Sequence, residues 1–248
     1  MQQLTDKVAI ITGGAGGIGR GLTTAFVAAG AKVLFVDVDD EAGLSLEQEL
    51  GENARFLNID LAAPGSAESI RDAALAAFGR IDTLVNNANS STPAPLLDVD
   101  DANLDQVFES SFRPTLKLMQ ACHGALAETK GSIINFASGA GLNGDPNQGS
   151  YAAAKEAIRG ITRVAANEWG PNGIRVNVVC PFALTDGVRW WSETYPEQAA
   201  HTVSTVPLGR IGDIATDIAP AVVFFASDAS QYITGQTIML DGGGIKLR

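Results

Sequence analysis

The sequence predicts an α/β fold in which one doubly wound parallel sheet carries helices on both faces. Three observations support this. Short runs rich in β-branched and apolar residues alternate with longer helical stretches along the chain. Most of these runs are continuously apolar rather than alternating, as expected for strands buried on both sides. The first run passes directly into a glycine-rich turn, residues 12 to 19, that opens the first helical stretch.

In chain order, the expected strands are 7 to 12, 32 to 37, 54 to 59, 81 to 86, 132 to 137, 174 to 179 and 236 to 240. The stretches at 17 to 29, 40 to 50, 66 to 78, 101 to 127 and 151 to 169 are long enough for right-handed crossover helices. No linker, low-complexity tract or repeat interrupts the alternation, so residues 1 to 248 are expected to form a single dinucleotide-binding and catalytic domain. The least regular stretch, 182 to 212, carries Trp190, Trp191, Tyr195, Pro196 and Pro207. Its position after a strand's carboxyl end suggests an irregular substrate loop.

Composition narrows the function. The 28 acidic and 17 basic residues give a net charge of -11, which opposes nucleic acid and anionic membranes as partners. Cys122 and Cys180 sit among apolar residues without His or Cys at metal-ligand spacing, and read as buried reduced thiols with no metal. The first ten residues lack the pattern of a secretion signal, and no apolar run approaches the roughly 18 residues of a membrane span. The expected location is cytoplasmic.

Two glycine patterns overlap in "TGGAGGIG": Gly14-x-Gly16-x-x-Gly19 and Thr12-Gly13-x-x-x-Gly17-x-Gly19. Either places a tight turn at a helix N-terminus, where backbone N–H groups and the helix dipole favour a pyrophosphate. Asp37 follows Gly19 by 18 residues, close to the spacing at which a carboxylate meets the adenosine ribose. The alternative is a solvated Asp in the acidic run "DVDD". A carboxylate there would repel a 2′-phosphate, and Val38, Ala15 and Gly16 supply no cation, so NAD is favoured over NADP. In "YAAAK", Tyr151 and Lys155 stand at i and i+4 on a strongly helix-forming stretch and share one face. Taken alone, that pair also fits a packed Tyr beside a solvated Lys.

Together, Thr12-Gly13-x-x-x-Gly17-Ile18-Gly19, Asn86-Asn87-Ala88, Ser138, Tyr151-x-x-x-Lys155 and the tail "ITGQTIMLDGG" resemble the short-chain dehydrogenase/reductase family, over essentially the whole chain and in order. The resemblance implies a Rossmann-type domain of about seven strands, a nicotinamide cofactor, a small-molecule substrate and a homotetramer or homodimer. It implies that Ser138 orients the substrate carbonyl, that Tyr151 is the acid/base, and that Lys155 contacts the nicotinamide ribose and lowers the tyrosine pKa. Cofactor contacts are implied for Gly13, Gly17, Ile18, Gly19, Asp37, Asp60, Leu61, Asn87, Ala88, Tyr151, Lys155, Pro181 and Thr185, with a structural role weighed above a chemical one for Asn86.

Four positions depart from the family pattern. Asn89 replaces the glycine of Asn-Asn-Ala-Gly, Phe182 replaces the glycine after Pro181, and Asp186 stands where a threonine is expected, with Thr185 one place early. Ser111 replaces the helical asparagine of the catalytic tetrad; Pro114, by leaving the Ser110 carbonyl without a helical partner, is expected to kink the helix there and keep the site competent. Phe182, Trp190 and Trp191 are candidate substrate contacts for an apolar or ring-containing ketone or alcohol, the alternative for the tryptophans being a subunit interface or the loop's own underside. The expected activity is NAD-dependent hydride transfer between nicotinamide and a secondary alcohol or ketone. The competing readings are a non-catalytic NAD(H)-binding sensor or scaffold, and a 3-oxoacyl-thioester reductase.

Overall fold

The structure, a computed structural model, describes residues 2–247. Its strands are β1 (Val8–Thr12), β2 (Lys32–Asp37), β3 (Ala54–Asn58), β4 (Thr83–Asn86), β5 (Ser132–Phe136), β6 (Arg175–Pro181) and β7 (Thr237–Leu240). They form one sheet in the order β3-β2-β1-β4-β5-β6-β7, with every neighbouring pair parallel. The helices are α1 (Gly17–Ala28), α2 (Asp40–Leu50), α3 (Ser66–Phe78), α4 (Asp101–Val107), α5 (Arg113–Thr129), α6 (Gly139–Asn143), α7 (Gly149–Trp169), α8 (Asp186–Thr194), α9 (Pro196–Thr205) and α10 (Ala219–Ala226).

The period of two along each strand divides the core. Ile11, Val33 and Phe35 pack on one face with Phe26 of α1 and Val222 of α10. Their neighbours Ile10, Leu34 and Val36 point the other way, against Ile70 of α3 and Leu118 and Met119 of α5. Each fully buried large side chain contributes about 1.5–3 kcal/mol, which explains why the runs are apolar on both faces. After β1, the chain builds outward to β3 and then crosses back to place β4 on β1's other side. That reversal opens a crevice beyond the strands' carboxyl ends, the position where ligands bind such sheets.

Two stretches differ from expectation. The stretch expected as one helix from 101 to 127 is α4 and α5 joined by a π-helical turn, Phe108–Phe112. Within it the Ser110 and Ser111 hydroxyls donate to the carbonyls of Gln106 (2.7 Å) and Val107 (2.9 Å), and Arg113 N–H reaches back to Phe108 O. Such back-bonding competes with the helical ladder, and Pro114 has no N–H to offer Ser110. The expected irregularity is therefore present, as an inserted π-turn. The stretch 182 to 212, expected as an irregular loop, contains α8 and α9. Thr185 caps α8 by accepting from Val188 N–H at 3.2 Å, and Pro196 opens α9 at a position where no N–H is needed. Pro196 therefore starts a helix within the stretch expected to be irregular.

Asn86 is buried and donates to Asn135 Oδ1 at 2.8 Å, and Asn135 in turn donates to Thr162 Oγ1 of α7 at 2.9 Å. The chain of bonds ties β4 and β5 to the helix that carries Tyr151 and Lys155. Among the described residues no helix is long and apolar enough to cross a membrane, and no group of three or more metal-ligating side chains occurs.

Candidate active site

The glycine turn is held from both sides. Gly13 is left-handed (φ +62°), and a Cβ there would lie 3.0 Å from the Ala88 Cα. At Gly19 an added Cβ would fall 1.8 Å from the Gly13 carbonyl oxygen, so only glycine permits the contact between turn and helix. Asn87 donates through Nδ2 to the carbonyls of Thr12 (2.9 Å) and Gly13 (3.3 Å). The Thr12 hydroxyl oxygen accepts from the backbone N–H groups of Asn87 (3.0 Å) and Ala88 (3.1 Å).

By contrast, Cβ atoms at Gly16 and Gly17 would meet nothing within 4 Å. Helix α1 has no side-chain cap and no acidic residue in its first turn. Its first N–H groups remain free for an anion, with the helix dipole behind them.

A cleft of about 990 Å³ runs along the carboxyl ends of the strands. Asp37, Asp60 and Leu61 line one end; Gly13, Ile18, Asn87 and Ala88 line the middle. Ser138, Tyr151, Lys155, Pro181, Phe182 and Thr185 line the other. Among the described residues, the one cation lining it is Lys155. At the acidic end, Asp37 accepts from Ala15 N–H (3.0 Å) and from its neighbour Val38 N–H (2.8 Å), which fixes the carboxylate against the glycine turn. Asp60 accepts from Ala62 N–H at 2.9 Å. The open glycine cradle, free helix N-terminus and fixed acid together fit an extended dinucleotide.

At the opposite end Ser138 stands in extended backbone as the N-cap of α6 and accepts from Ala140 N–H at 3.2 Å. Tyr151 and Lys155 lie one turn apart on α7, with the Lys155 Nζ 5.5 Å from the tyrosine ring centroid. The Nζ donates to the Phe136 carbonyl at 3.1 Å. Burial of the ammonium pulls its pKa from 10.5 down to about 8. Burial pushes the Tyr151 phenol above its ordinary value of 10, a shift that the hydrogen bond with Ser138 opposes. Desolvation is the largest influence on the phenol among the protein's own groups.

Several expected residues take indirect positions. Gly17 and Gly19 shape the turn without lining the cleft. Ser111 is buried on the π-turn, which packs against α7, and does not reach the cleft. Trp190 and Trp191 lie on α8 away from the cleft lining; Trp190 is 63% exposed and meets Tyr195 edge-on at 6.4 Å. Helix formation from Asp186 turns Trp190 outward, leaves Trp191 half-buried off the cleft lining, and brings Val188 to the cleft instead. Asp186 sits in the first turn of α8, where a carboxylate complements the helix dipole.

Asn89 is not among the described non-glycine residues with positive φ, which are Asp6, Lys130 and Asn147, so it replaces the family glycine without backbone strain. Sequence reasoning missed Asn89, Ser90, Ser91 and Gln148 as cleft residues. Their positions directly after Asn-Asn-Ala and three residues before Tyr151 were the available signal.

A doubly wound sheet with a glycine-turn nucleotide cradle and a Ser–Tyr–Lys group in one cleft defines a nicotinamide-dependent oxidoreductase. Residues 13–244 match the family model described as enoyl-(acyl carrier protein) reductase. The chain is 41% identical over 248 residues to 12alpha-hydroxysteroid dehydrogenase of Clostridium sp., covering 96% of each chain. It is 36% identical over 239 residues to the 3-oxoacyl-(acyl-carrier-protein) reductase of Salmonella typhimurium, covering 96% of each. It is also 36% identical over 247 residues to the 2,5-dichloro-2,5-cyclohexadiene-1,4-diol dehydrogenase of Sphingobium indicum, covering 98% of each. The crystal structure of a short-chain glucose/ribitol dehydrogenase from Brucella melitensis superposes with a TM-score of 0.92 at 29% identity over 99% of both chains. The protein belongs to the short-chain dehydrogenase/reductase family and is an oxidoreductase of alcohols and ketones.

Proposed function

We propose that this protein is an NAD-dependent dehydrogenase or reductase of a neutral, ring-containing secondary alcohol or ketone. The observation that carries the reading is the cleft itself: Ser138, Tyr151 and Lys155 at one end, the fixed carboxylate of Asp37 at the other, and no further cation between them among the described residues. A 2′-phosphate beside Asp37 would meet a negative charge with nothing to offset it. Bound NAD or NADH supplies the hydride acceptor or donor.

The protein's own groups handle the oxygen and its proton. The Ser138 hydroxyl orients the substrate oxygen. Tyr151 moves the proton at that oxygen, and burial keeps the phenol protonated at neutral pH, the form that donates to a ketone. Lys155 holds the nicotinamide-side ribose and adjusts the field around the phenol. Phe182 and Val188 provide an apolar wall that excludes water. Two of the curated relatives bear names of cyclic alcohol dehydrogenases, which supports a ring in the substrate.

A second reading, reduction of a 3-oxoacyl thioester, is favoured by the family model's description and by the carrier-protein reductase relative. The net charge of -11 and a cleft whose sole cation among the described residues is Lys155 weigh against docking an acidic carrier and binding NADPH. A homotetramer or homodimer and a cytoplasmic location complete the proposal; fully exposed Leu97 and Tyr232 offer apolar surface for self-association, and two buried free thiols suit a reducing compartment.

The test is a spectrophotometric screen of the purified protein against cyclic alcohols, ketones and a 3-oxoacyl thioester, with NAD(H) and NADP(H) in parallel. Turnover of cyclic substrates with NAD is expected. Turnover confined to the thioester with NADPH would overturn the reading.

A further inference from the structure

Resting on that reading, we infer that the substrate carries a second uncharged oxygen, held by a dedicated polar anchor that Ser91 and Gln148 build on the rim of the cleft. The substrate class is a neutral cyclic diol or hydroxyketone.

Ser90, Ser91, Ser110 and Gln148 all line the cleft, and the hydrogen bonds separate them into two kinds. Ser90 and Ser110 are engaged with the protein: Ser90 N–H donates to Ser110 Oγ at 3.0 Å, and Ser110 Oγ is 3.0 Å from the Ser90 carbonyl. Ser90 Oγ also accepts from Gln106 Nε2 at 3.1 Å. These bonds pin residue 90 to the π-turn.

Ser91 and Gln148 also line the cleft and are half-buried, yet among the described residues neither side chain has a protein hydrogen-bonding partner. A half-buried hydroxyl and primary amide left free on a cleft wall are groups that a ligand can satisfy at little desolvation cost.

Their placement is built rather than incidental. Ala94 N–H donates to the Asn147 carbonyl at 2.9 Å, and Ala94 and Gln148 form a parallel bridge, so the segment carrying Ser91 is tied to the one carrying Gln148. Asn147 takes a left-handed conformation, φ 63°, directly before Gln148. That conformation is unfavourable for a residue with a Cβ and sets the direction in which the chain enters α7. Gln148 is the N-cap residue of α7, three positions before Tyr151, and both residues line the same cleft. The anchor therefore opens on the space that holds the reacting oxygen.

The chemistry of the anchor specifies the partner. A hydroxyl and an amide offer both donors and acceptors but no charge, which matches an alcohol or ketone oxygen better than a carboxylate or phosphate. Lys155, the only cation of the cleft among the described residues, is buried against the Phe136 carbonyl and cannot serve a remote anion. Phe182 and Val188, also on the cleft, supply the apolar surface for a ring.

The experiment compares kcat/KM with NAD for cyclohexanol, its positional diols and 4-hydroxycyclohexanecarboxylate, in wild type, Ser91→Ala, Gln148→Leu and the double variant. At least one diol should exceed cyclohexanol by about tenfold or more in wild type, as one well-made hydrogen bond to a neutral oxygen allows. The double variant should collapse that ratio toward one through a raised KM for the diol. A purely structural role would lower both substrates together and leave the ratio intact, which would overturn the anchor. Equal wild-type activity on cyclohexanol and every diol, or preference for the hydroxycarboxylate, would overturn it as well while leaving the dehydrogenase reading in place. Absence of hydride transfer with every alcohol and ketone tried would overturn both.

Discussion

Asp37 and Ala15 are joined by a hydrogen bond of 3.0 Å from the Ala15 backbone N–H to the Asp37 carboxylate, which locks the end of β2 to the glycine turn. The acid cannot swing away from a ligand lying along that turn. NAD should therefore exceed NADP by at least about tenfold in kcat/KM, or about 1.4 kcal/mol, since one unrelieved like-charge contact readily supplies that difference. Initial rates with both cofactors at a fixed substrate concentration check it. Equal or reversed preference would remove Asp37 as the discriminating group.

Tyr151→Phe keeps the ring against the lysine and removes only the hydroxyl. Turnover should fall by roughly two to four orders of magnitude, the range for a positioned proton donor, while NADH affinity changes little. Titration of cofactor fluorescence together with steady-state kinetics separates the two effects. Turnover near that of wild type would take Tyr151 out of the reaction.

The lysine leaves a mark on stability in the protein without cofactor. Its folded pKa is about 8 against an ordinary 10.5, so below pH 8 both states hold the proton and the folded state bears the full cost of a buried charge. That cost is about 3 kcal/mol and is progressively relieved as pH rises from 8 to 10.5, because the folded state releases its proton first. Burial raises the thiols of Cys180 to about 11 and Cys122 to about 12 from an ordinary 9.0, so they begin to destabilise the fold above pH 9. The clean window is pH 8 to 9. Lys155→Met should raise the Tm at pH 7, and its advantage should shrink by about 1 kcal/mol across that window. A difference independent of pH would mean that the ammonium is not desolvated as the structure shows.

How far the sequence could be read follows from these same elements. β1, β2 and the Thr12 to Gly19 turn were legible because burial on both faces leaves a continuous apolar run, and because only glycine permits the 1.8 Å approach of a Cβ position to the Gly13 carbonyl. Tyr151 and Lys155 were legible because a helix fixes i and i+4 on one face. The π-turn was legible in part: Pro114 signalled a lost hydrogen bond, but the back-bonding hydroxyls of Ser110 and Ser111 depend on rotamers that no pattern displays. Helices α8 and α9 were hidden because Trp190, Trp191 and Pro196 resemble loop composition until Thr185 and Pro196 are seen as helix starts. The desolvation of Tyr151 was hidden for another reason, since it depends on what the rest of the chain buries.

The aromatic residues after β6 should divide by position. Phe182 lines the cleft, with its backbone N–H donating to Leu240 O at 2.9 Å, whereas Trp190 is largely exposed. Phe182→Ala should raise KM for a ring substrate about five- to fiftyfold, the cost of about 1–2 kcal/mol of apolar contact. Trp190→Ala should leave KM within about twofold and act instead on oligomer or thermal stability. Measuring KM and sedimentation on both variants checks the division, and a large KM effect at Trp190 would show that α8 closes over the substrate.

Ser111 raises the question of whether the family asparagine can be lost without losing catalysis. The helix irregularity at this position exists without it: the turn Phe108–Phe112 is π-helical, Arg113 N–H pairs with Phe108 O, and the next N–H that could have served Ser110 belongs to a proline. The Ser111 hydroxyl is itself spent on Val107 O at 2.9 Å, which stabilises the local distortion. The turn packs against α7, the helix bearing Lys155, and Pro114 leaves the Ser110 carbonyl without its helical donor, an acceptor that a proton path through solvent could use. Ser111→Asn should therefore change kcat by less than about tenfold, or 1.4 kcal/mol. Ser111 is 1% exposed, so the larger asparagine should cost about 1–3 kcal/mol of stability through overpacking even while the chemistry is kept. Steady-state kinetics and thermal melting on the one variant test both halves. A large gain in kcat on restoring asparagine would show that the π-turn alone does not replace it.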